Sequence, residues 1–201
     1  MRWGGWRLVG GTAVLLGLMT AGIALVSGTD EVGARVLIRA TARTSLVYFL
    51  AAFVASGLRG LWPSPGTLWL LRNRRYLGVS FALSHFLHLA AILEVAWRWP
   101  HPFLEQSARP VTLIGGGLGY VFIAAMTATS FDRSAAWPGA RRWRLLHTAG
   151  MYYLWIIFTF SFGGRAVVAP AYALPALALL AGLTVRLASR FRALQLLPSE
   201  S

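Results

Sequence analysis

The stretch Arg74–Trp97, RRYLGVSFALSHFLHLAAILEVAW, carries two histidines inside a run that is long and apolar enough to cross a lipid bilayer. At about 1.5 Å of rise per residue, the part from Tyr76 to Trp97 spans about 33 Å, close to the roughly 30 Å of hydrocarbon in a bilayer. It is therefore predicted to be a transmembrane helix. Because ionisable side chains are costly at that depth, His85 and His88 are expected to face the protein interior and serve a ligand, a pathway or a partner.

The composition of the whole chain is that of a polytopic membrane protein. Of 201 residues, 57% are hydrophobic and only 12% are charged, whereas soluble proteins are about one quarter charged. The net charge of +13 comes entirely from arginine, since the chain has no lysine. The arginines lie between apolar runs, which favours anchoring at anionic membrane lipid over nucleic-acid binding. The lack of cysteine excludes disulfides, thiolate metal sites and iron–sulfur clusters built from this sequence.

Six apolar segments predict an all-α fold, a six-transmembrane-helix bundle that forms a single domain over residues 1–201. The predicted helices cover residues 8–26, 44–62, 76–97, 111–130, 143–162 and 167–187. The first is interpreted as a retained helix, with a cleaved signal peptide as the alternative, because it is long and no cleavage site is obvious after it. Pro175 predicts a kink inside the sixth helix.

The arginines also predict the orientation in the membrane. Six helices place both termini on one side, and 13 of the 19 arginines fall on that side. Cytoplasmic segments carry the excess of basic residues in membrane proteins. Both termini are therefore predicted to be cytoplasmic, in a multi-pass protein of the cell (inner) membrane.

Two further patterns have a structural and a functional interpretation. The run Gly115–Gly119 lies in an apolar segment without the strand, lysine and hydroxyl residue of a phosphate-binding loop, so close helix packing is the better account. Glu94 and Arg98 are one helical turn apart near the outer end of the third helix. They predict an interfacial ion pair, with a proton or quinone role as the minority interpretation.

The histidines raise the possibility of a bound cofactor. His147 lies in the fifth predicted helix, which runs in the same direction as the third. Imidazoles from two neighbouring helices are a typical axial ligand pair for haem iron, and a helix bundle supplies an apolar slot for the macrocycle. The alternative is that each histidine forms a hydrogen bond across a helix interface. A zinc site would need a third ligand, and Glu94 is nearly two turns from His88.

The depth of the two candidate ligands differs along their helices. His88 lies 13 residues beyond Arg75, about 20 Å of helix, whereas His147 lies only 5 residues beyond Arg142, about 7 Å. The difference would shrink if the fifth helix began deeper in the cytoplasm-facing layer. His85 lies about 4.5 Å closer to the depth of His147 than His88 does, and it is therefore the alternate ligand.

Two short motifs resemble a known family. Arg74-Arg75-x-Leu77-Gly78 followed by His88, and Trp143-x-x-Leu146-His147 followed by Tyr152, resemble the third and fifth helices of the ferric reductase-like transmembrane domain. Within that family the pattern is most similar to MsrQ-like haem-binding subunits of methionine sulfoxide reductase systems, and more distantly to the membrane domain of NADPH oxidases. The motif likeness covers residues 74–162, and the six-helix layout agrees over the whole chain.

The resemblance implies a membrane b-type cytochrome in which His88 and His147 are the axial ligands of one haem b iron. It implies a relay of electrons from a separate flavin reductase or membrane quinol to an external acceptor. Relatives carry a further histidine thirteen residues after the first one on the fifth helix, where this chain has Phe160, so only one haem is expected. Basic residues that could pair with haem propionates are Arg74, Arg75, Arg109, Arg144 and Arg165.

Two other function classes stay open at this stage. One is a haem-free descendant of the same fold that acts as a membrane scaffold or partner-binding subunit, which the loss of histidine at Phe160 favours. The other is a small transporter, for which Pro175, Glu94 and the glycine-rich fourth helix are the hints.

Overall fold

The computed structural model describes residues 4–101, 110–131, 134 and 137–195. These residues form six α-helices and contain no β-strand. The helices are α1 (Trp6–Ser27), α2 (Glu31–Leu61), α3 (Pro65–Arg98), α4 (Pro110–Ala128), α5 (Gly139–Ala166) and α6 (Ala173–Gln195), with a 3₁₀ turn at Pro170–Tyr172 before α6. The prediction of an all-α fold is confirmed for this part of the chain.

Five of the described helical segments are long and apolar enough to cross a membrane. They are α1, α2, α3, α5 and the segment Pro170–Gln195 that contains α6. The apolar part of α4, Leu113–Ala128, is shorter. The chain is thus multi-pass by length and composition, while a sixth membrane crossing and cytoplasmic termini stay predictions.

Two helices begin much earlier than the sequence predicts. The polar segment before residue 44 is helical from Glu31, because Asp30 caps α2 by accepting a hydrogen bond from the Gly33 amide at 3.0 Å. The basic segment before Tyr76 is helical from Pro65, behind a capping box in which Ser64 and Thr67 satisfy each other's backbone amides. Both starts depend on short polar caps, which hydropathy alone does not reveal.

The predicted kink at Pro175 is absent. α6 begins only at Ala173, so Pro175 occupies the first turn of the helix. Proline is tolerated there because the first amides of a helix have no intrahelical acceptor. The proline therefore helps to define where the helix starts.

Helices that follow one another in the chain alternate in direction. The Gly5 amide donates to Asn73 at 2.8 Å, which joins the beginnings of α1 and α3. Arg192 donates to the Leu61 carbonyl at 3.1 Å, which joins the ends of α2 and α6. One end of the bundle therefore contains the beginnings of α1, α3 and α5 and the ends of α2, α4 and α6. Most of the arginines lie there, and we call it the basic end.

The core lies where α2, α3 and α5 meet. Phe49 packs against Phe81 and Phe158, with ring centroids 5.5 and 5.1 Å apart. All three are at most 5% exposed, and buried aromatic pairs of this kind each contribute about 0.5–1.5 kcal/mol beyond their burial. This aromatic core fixes how α3 and α5 lie against each other.

Buried hydroxyls join α2 and α3. Ser45 donates to Ser84 at 3.0 Å, and both side chains are fully buried. Small residues that hydrogen-bond across a helix interface allow close approach in an apolar solvent. The interface between α2 and α3 is consequently close and contains buried hydrogen bonds, and it lies beside the aromatic core.

The glycine run of α4 packs as the sequence predicts. A side chain at Gly115 would meet Ile157 and Tyr153, and one at Gly119 would meet Leu154 and Tyr153. The Tyr153 hydroxyl also donates to the Gly115 carbonyl at 2.8 Å. The small residues therefore serve the contact between α4 and α5.

Candidate functional site

A cavity of about 420 Å³ lies at the basic end between α2, α3, α4 and α5. This volume is in the range of about 300–1,000 Å³ in which proteins hold small molecules and cofactors. Its wall is mainly apolar, with Phe49, Phe81, Ile123, Met126, Met151 and Leu154, and its polar lining includes Arg72, Arg74, Arg75, Thr129, Trp143 and His147.

His147 is the histidine that lines this cavity, and two neighbours orient its ring. Its Nε2 atom lies 3.1 Å from the hydroxyl oxygen of Thr129, the residue that follows the end of α4. Trp143, one turn earlier on α5, stacks on the imidazole with centroids 4.1 Å apart, and its own Nε1 donates to the Thr129 carbonyl at 2.9 Å. Among the described residues Nδ1 has no hydrogen-bond partner, so one ring nitrogen remains available for a ligand.

His88 lies on the side of α3 that packs against α2. Its Nδ1 atom lies 3.1 Å from the Ile38 carbonyl oxygen and 3.1 Å from the Thr41 hydroxyl. A carbonyl can only accept, so Nδ1 carries the proton and donates, and Nε2 keeps its lone pair. Metal-binding imidazoles typically have their other nitrogen fixed in this way.

His85 is enclosed by aromatic rings rather than by hydrogen-bonding groups. It stacks on Tyr120 at 5.0 Å and packs against Phe81 at 5.3 Å and Phe158 at 5.5 Å. Its ring centroid lies 5.2 Å from that of His88. The buried Nδ1 of His85 has no hydrogen-bond partner in the described part of the chain. His101 is exposed and takes no part in this group.

The structure places His88 and His147 at different levels of the bundle. α3 and α5 are parallel, and two contacts define their register: Arg74 with Met151, and Phe81 with Phe158, each 77 positions apart. In that register His147 lies opposite Leu70, eighteen residues before His88, which corresponds to about 27 Å along the helix.

The predicted sharing of one iron by His88 and His147 does not fit this arrangement. A metal–imidazole bond is about 2 Å long, so two axial nitrogens of one metal lie about 4 Å apart. His85 shortens the separation only to about 22 Å. The unequal distances from Arg75 and Arg142 indicated this difference in the sequence, and the early start of α3 at Pro65 does not remove it.

Phe160 does not occupy an interior position. Its side chain is 78% exposed, whereas the inward face of α5 is formed by Gly150, Leu154, Phe158 and Phe162. A ligand at position 160 would therefore face away from the bundle. The haem number stays a prediction, and this face of α5 offers no ligand at position 160 for a second haem built on the family's spacing.

The arginines that could pair with haem propionates do not all lie at the cavity. Arg74 and Arg75 line the cavity. Arg144 is exposed and donates to the Ala140 carbonyl, and Arg165 donates to Ser161 near the far end of α5. Arg109 lies outside the described residues. Arg74 and Arg75 are thus the described propionate candidates that line the cavity together with His147.

The ion pair that the sequence predicts near the end of α3 is present in the structure. Arg98 and Glu94 form an ion pair at 2.9 Å, and both side chains are more than 40% exposed. Such exposed pairs are worth about 0–1 kcal/mol. The described residues also contain no group of three side chains that could hold a metal ion, so the zinc alternative gains no support.

Some residues of this region were not singled out from the sequence. Met126 of α4 and Thr129, which follows α4, approach α5 only in the folded bundle. Arg186 is only 9% exposed, and it donates to the Phe53 carbonyl at 2.7 Å. Its guanidinium also lies over the rings of Phe53 and Tyr152. The i, i+4 spacing of Trp143 and His147 is the local sequence pattern that could have predicted their ring stacking.

Comparison with known proteins finds a distant relative. The chain is 29% identical, over 124 residues, to the protein-methionine-sulfoxide reductase heme-binding subunit MsrQ of Polaromonas naphthalenivorans (strain CJ2). The matched region is 59% of this chain and 55% of that protein, so the chain matches about half of the relative's length. No protein-family model and no solved structure matches the chain. The similarity supports an MsrQ-like relationship.

Proposed function

We propose that this chain is a membrane-embedded haem-binding subunit that relays electrons between a separate donor and an external acceptor. The observation that carries the proposal is the position of His147, which lines an apolar cavity beside Arg74 and Arg75. The relative named as a heme-binding subunit supports the same role.

The residues of the cavity fit the chemistry of haem b. Haem needs an imidazole ligand, apolar surfaces against its macrocycle, and cations near its propionates. His147, Phe81 and Ile123 supply the first two, and Arg74 and Arg75 supply the third. Arg74 donates to the Met151 sulfur at 3.4 Å, a weak acceptor, so this contact leaves most of its hydrogen-bonding capacity for an anion.

When bound, haem supplies a reversible one-electron iron couple. The chain contributes the ligand, the orientation of the ring and an environment of low polarity. Thr129 and Trp143 hold the imidazole of His147, and the buried side chains of Phe49 and Phe81 form part of the cavity wall.

His88 is proposed as the ligand available in the opposite half of the bundle, with His85 as the alternate. The proton of His88 is directed to the Ile38 carbonyl, which leaves Nε2 for a metal. With His147 near the basic end, the two positions lie along the direction in which electrons would cross the membrane.

The partners are proposed by chemical class. The donor is a flavin reductase or a membrane quinol, and the acceptor is a redox protein or small oxidant on the far side of the membrane. The word subunit in the relative's name favours partner proteins over a self-sufficient reaction.

The test is the visible spectrum of the purified protein, produced with ample haem supply. We expect a reducible Soret band with sharp α and β bands, and a pyridine haemochrome assay should identify haem b. A colourless preparation would overturn the proposal and favour the haem-free scaffold.

Alanine variants assign the ligands. His147→Ala should remove the haem bound in the cavity, His88→Ala tests whether His88 also ligates haem, and His101→Ala, at an exposed histidine, is the matched control. If both variants lose one and the same haem, the iron is shared and the helices must shift relative to each other. A variant with an unaltered spectrum excludes its residue as a ligand.

The scaffold remains the second candidate because the separation of His88 and His147 removes the simplest bis-histidine site. The transporter has lost one of its hints, since Pro175 lies in the first turn of α6 and does not break a helix.

A further inference from the structure

Arg186 of α6 is a cation buried between helices. Its side chain donates to the Phe53 carbonyl through one terminal nitrogen, and the guanidinium lies 4.5 Å from the ring centroid of Phe53 and 5.2 Å from that of Tyr152. Its Nε atom is buried and has no hydrogen-bond partner in the described part of the chain. Because a buried charge is costly unless an opposite charge accompanies it, Arg186 calls for an anion.

A second arginine and a hydroxyl lie beside Arg186. Arg190, one turn later on α6, has its guanidinium 5.6 Å from the ring centroid of Tyr152, and it is exposed. The Tyr152 hydroxyl is buried and, among the described residues, also lacks a hydrogen-bond partner. We call Arg186, Arg190 and Tyr152 the α6 cluster. Its unused donors suit the oxygens of a phosphate group, which accept charge-assisted hydrogen bonds from arginine.

The acidic side chains that the structure describes are far from this cluster. They are Asp30, Glu31 and Glu94, all at the end of the bundle opposite to the basic end. Glu31 and Glu94 form ion pairs with arginines of their own helices. Asp132 follows the end of α4 in the sequence and lies outside the described residues, so the experiment has to distinguish it from an external anion.

The α6 cluster lies where the apolar part of the bundle meets the basic end. In the register of α3 against α5, Tyr152 is level with Arg75, and the apolar run of α3 begins at the next residue, Tyr76. The apolar segment of α6 ends at residue 187, next to Arg186. Lipid phosphates lie at this boundary, and basic pockets between transmembrane helices bind anionic headgroups there.

We infer that the α6 cluster binds the phosphate group of an anionic phospholipid. Arg186 Nε, the Arg190 guanidinium and the Tyr152 hydroxyl donate to its oxygens, and exposed Arg190 is the side from which the headgroup enters. Leu187 and Phe191, which flank Arg190 along α6, expose apolar side chains to the acyl chains. None of the three cluster residues lines the cavity of His147, so the site does not require a haem.

The experiment measures the thermal midpoint of the purified full-length protein, delipidated in a neutral detergent, as lipid is added. Phosphatidylglycerol should raise the midpoint saturably. Phosphatidylcholine with the same acyl chains, whose ammonium group the arginines repel, should need a concentration at least about tenfold higher for half of the effect. Equal responses to the two lipids would overturn the inference. An equal response to inorganic phosphate would overturn the choice of a lipid, because the free ion would then suffice.

Variants locate the site. Arg190→Gln and Tyr152→Phe should each raise the half-saturating concentration of phosphatidylglycerol about tenfold, as expected for the loss of one hydrogen bond to a charged group. Arg142→Gln removes the same charge from an exposed position at the basic end and should leave that concentration unchanged. Arg186→Gln also removes the contact with Phe53, so it is not used to decide the question. Equal losses in Arg190→Gln and Arg142→Gln would mean that general attraction to the membrane surface, rather than the α6 cluster, binds the lipid.

Asp132→Asn tests the internal alternative. If the anion is a lipid, this variant should respond to phosphatidylglycerol as the unmodified protein does. If Asp132 is the counter-ion of Arg186, the unmodified protein should ignore phosphatidylglycerol and Asp132→Asn should have a lower midpoint. That second pattern would overturn the inference.

Discussion

His88 Nδ1 lies 3.1 Å from the carbonyl oxygen of Ile38, one helix away, and this contact assigns the proton of the ring. A backbone carbonyl cannot move far without distorting α2, so the imidazole has a fixed tautomer and Nε2 is unprotonated. His147 is held differently, through Nε2 and the side-chain hydroxyl of Thr129. The two histidines therefore present different nitrogens to a ligand.

His85→Phe is expected to leave the haem spectrum unchanged. The His85 ring contacts Tyr120, Phe81 and Phe158 as an aromatic filler, and phenylalanine preserves that packing while it removes both nitrogens. Haem content per protein and the reduced-minus-oxidised spectrum are the measurements.

His88→Phe is the matched comparison for His85, because it makes the same chemical change one turn further along α3. It should lose any haem component to which His88 contributes a ligand. If His85→Phe instead loses that component and His88→Phe retains it, His85 rather than His88 is the ligand.

Thr129→Val should weaken haem binding about tenfold, because groups that orient a metal-binding imidazole typically contribute 10- to 100-fold in affinity. Valine has nearly the shape of threonine but cannot hydrogen-bond to Nε2 of His147. Haem titration of the apo protein, followed by Soret absorbance, measures the change.

Thr184→Val is a suitable control for that experiment, since Thr184 is exposed on α6 and donates only to the carbonyl one turn earlier, Leu180. Equal haem affinities for the two valine variants would mean that Thr129 does not act on the ligand.

Gly57→Val should destabilise the bundle by about 1–3 kcal/mol, as overpacking in a close contact usually does. A Cβ at Gly57 would lie 3.1 Å from the Val185 carbonyl oxygen and 3.3 Å from the Arg186 Cα, and backbone atoms cannot move aside as side chains do. The thermal midpoint in detergent, followed by far-ultraviolet circular dichroism, measures the effect.

Gly17→Val makes the same change on α1, where a new Cβ meets nothing within 4 Å, and it should leave the midpoint unchanged. A similar loss in both variants would show that valine in a membrane helix, rather than the approach of α6 to α2, is the cause.

The orientation in the membrane can be tested with single cysteines, because the chain contains none. Trp62, 60% exposed, lies at the basic end, and Thr29 is exposed at the opposite end between α1 and α2. If arginines mark the cytoplasmic side, a membrane-impermeant maleimide added to intact cells should label Thr29→Cys but not Trp62→Cys. Both should react after permeabilisation. The reverse pattern in intact cells would contradict cytoplasmic termini.

The helical class and the number of apolar runs could be predicted because they depend on local composition. The predicted segment 76–97 falls within α3, and His85 and His88 are both on one helix, as the i, i+3 spacing requires. The longer extents of α2 and α3 were missed because the residues before 44 and 76 are polar or basic, and their helical state depends on the caps at Asp30 and Ser64.

The sequence by itself determined which residues are candidates: three histidines in apolar helices, arginines concentrated toward one side, and no sulfur ligand other than methionine. Only the tertiary structure decided which of them meet. The register of α3 against α5 depends on contacts such as Arg74 with Met151, 77 residues apart, and no local pattern encodes such a distance. That register brings His147 together with Thr129 and the cavity arginines, and it separates His147 from His88 by most of the thickness of a bilayer.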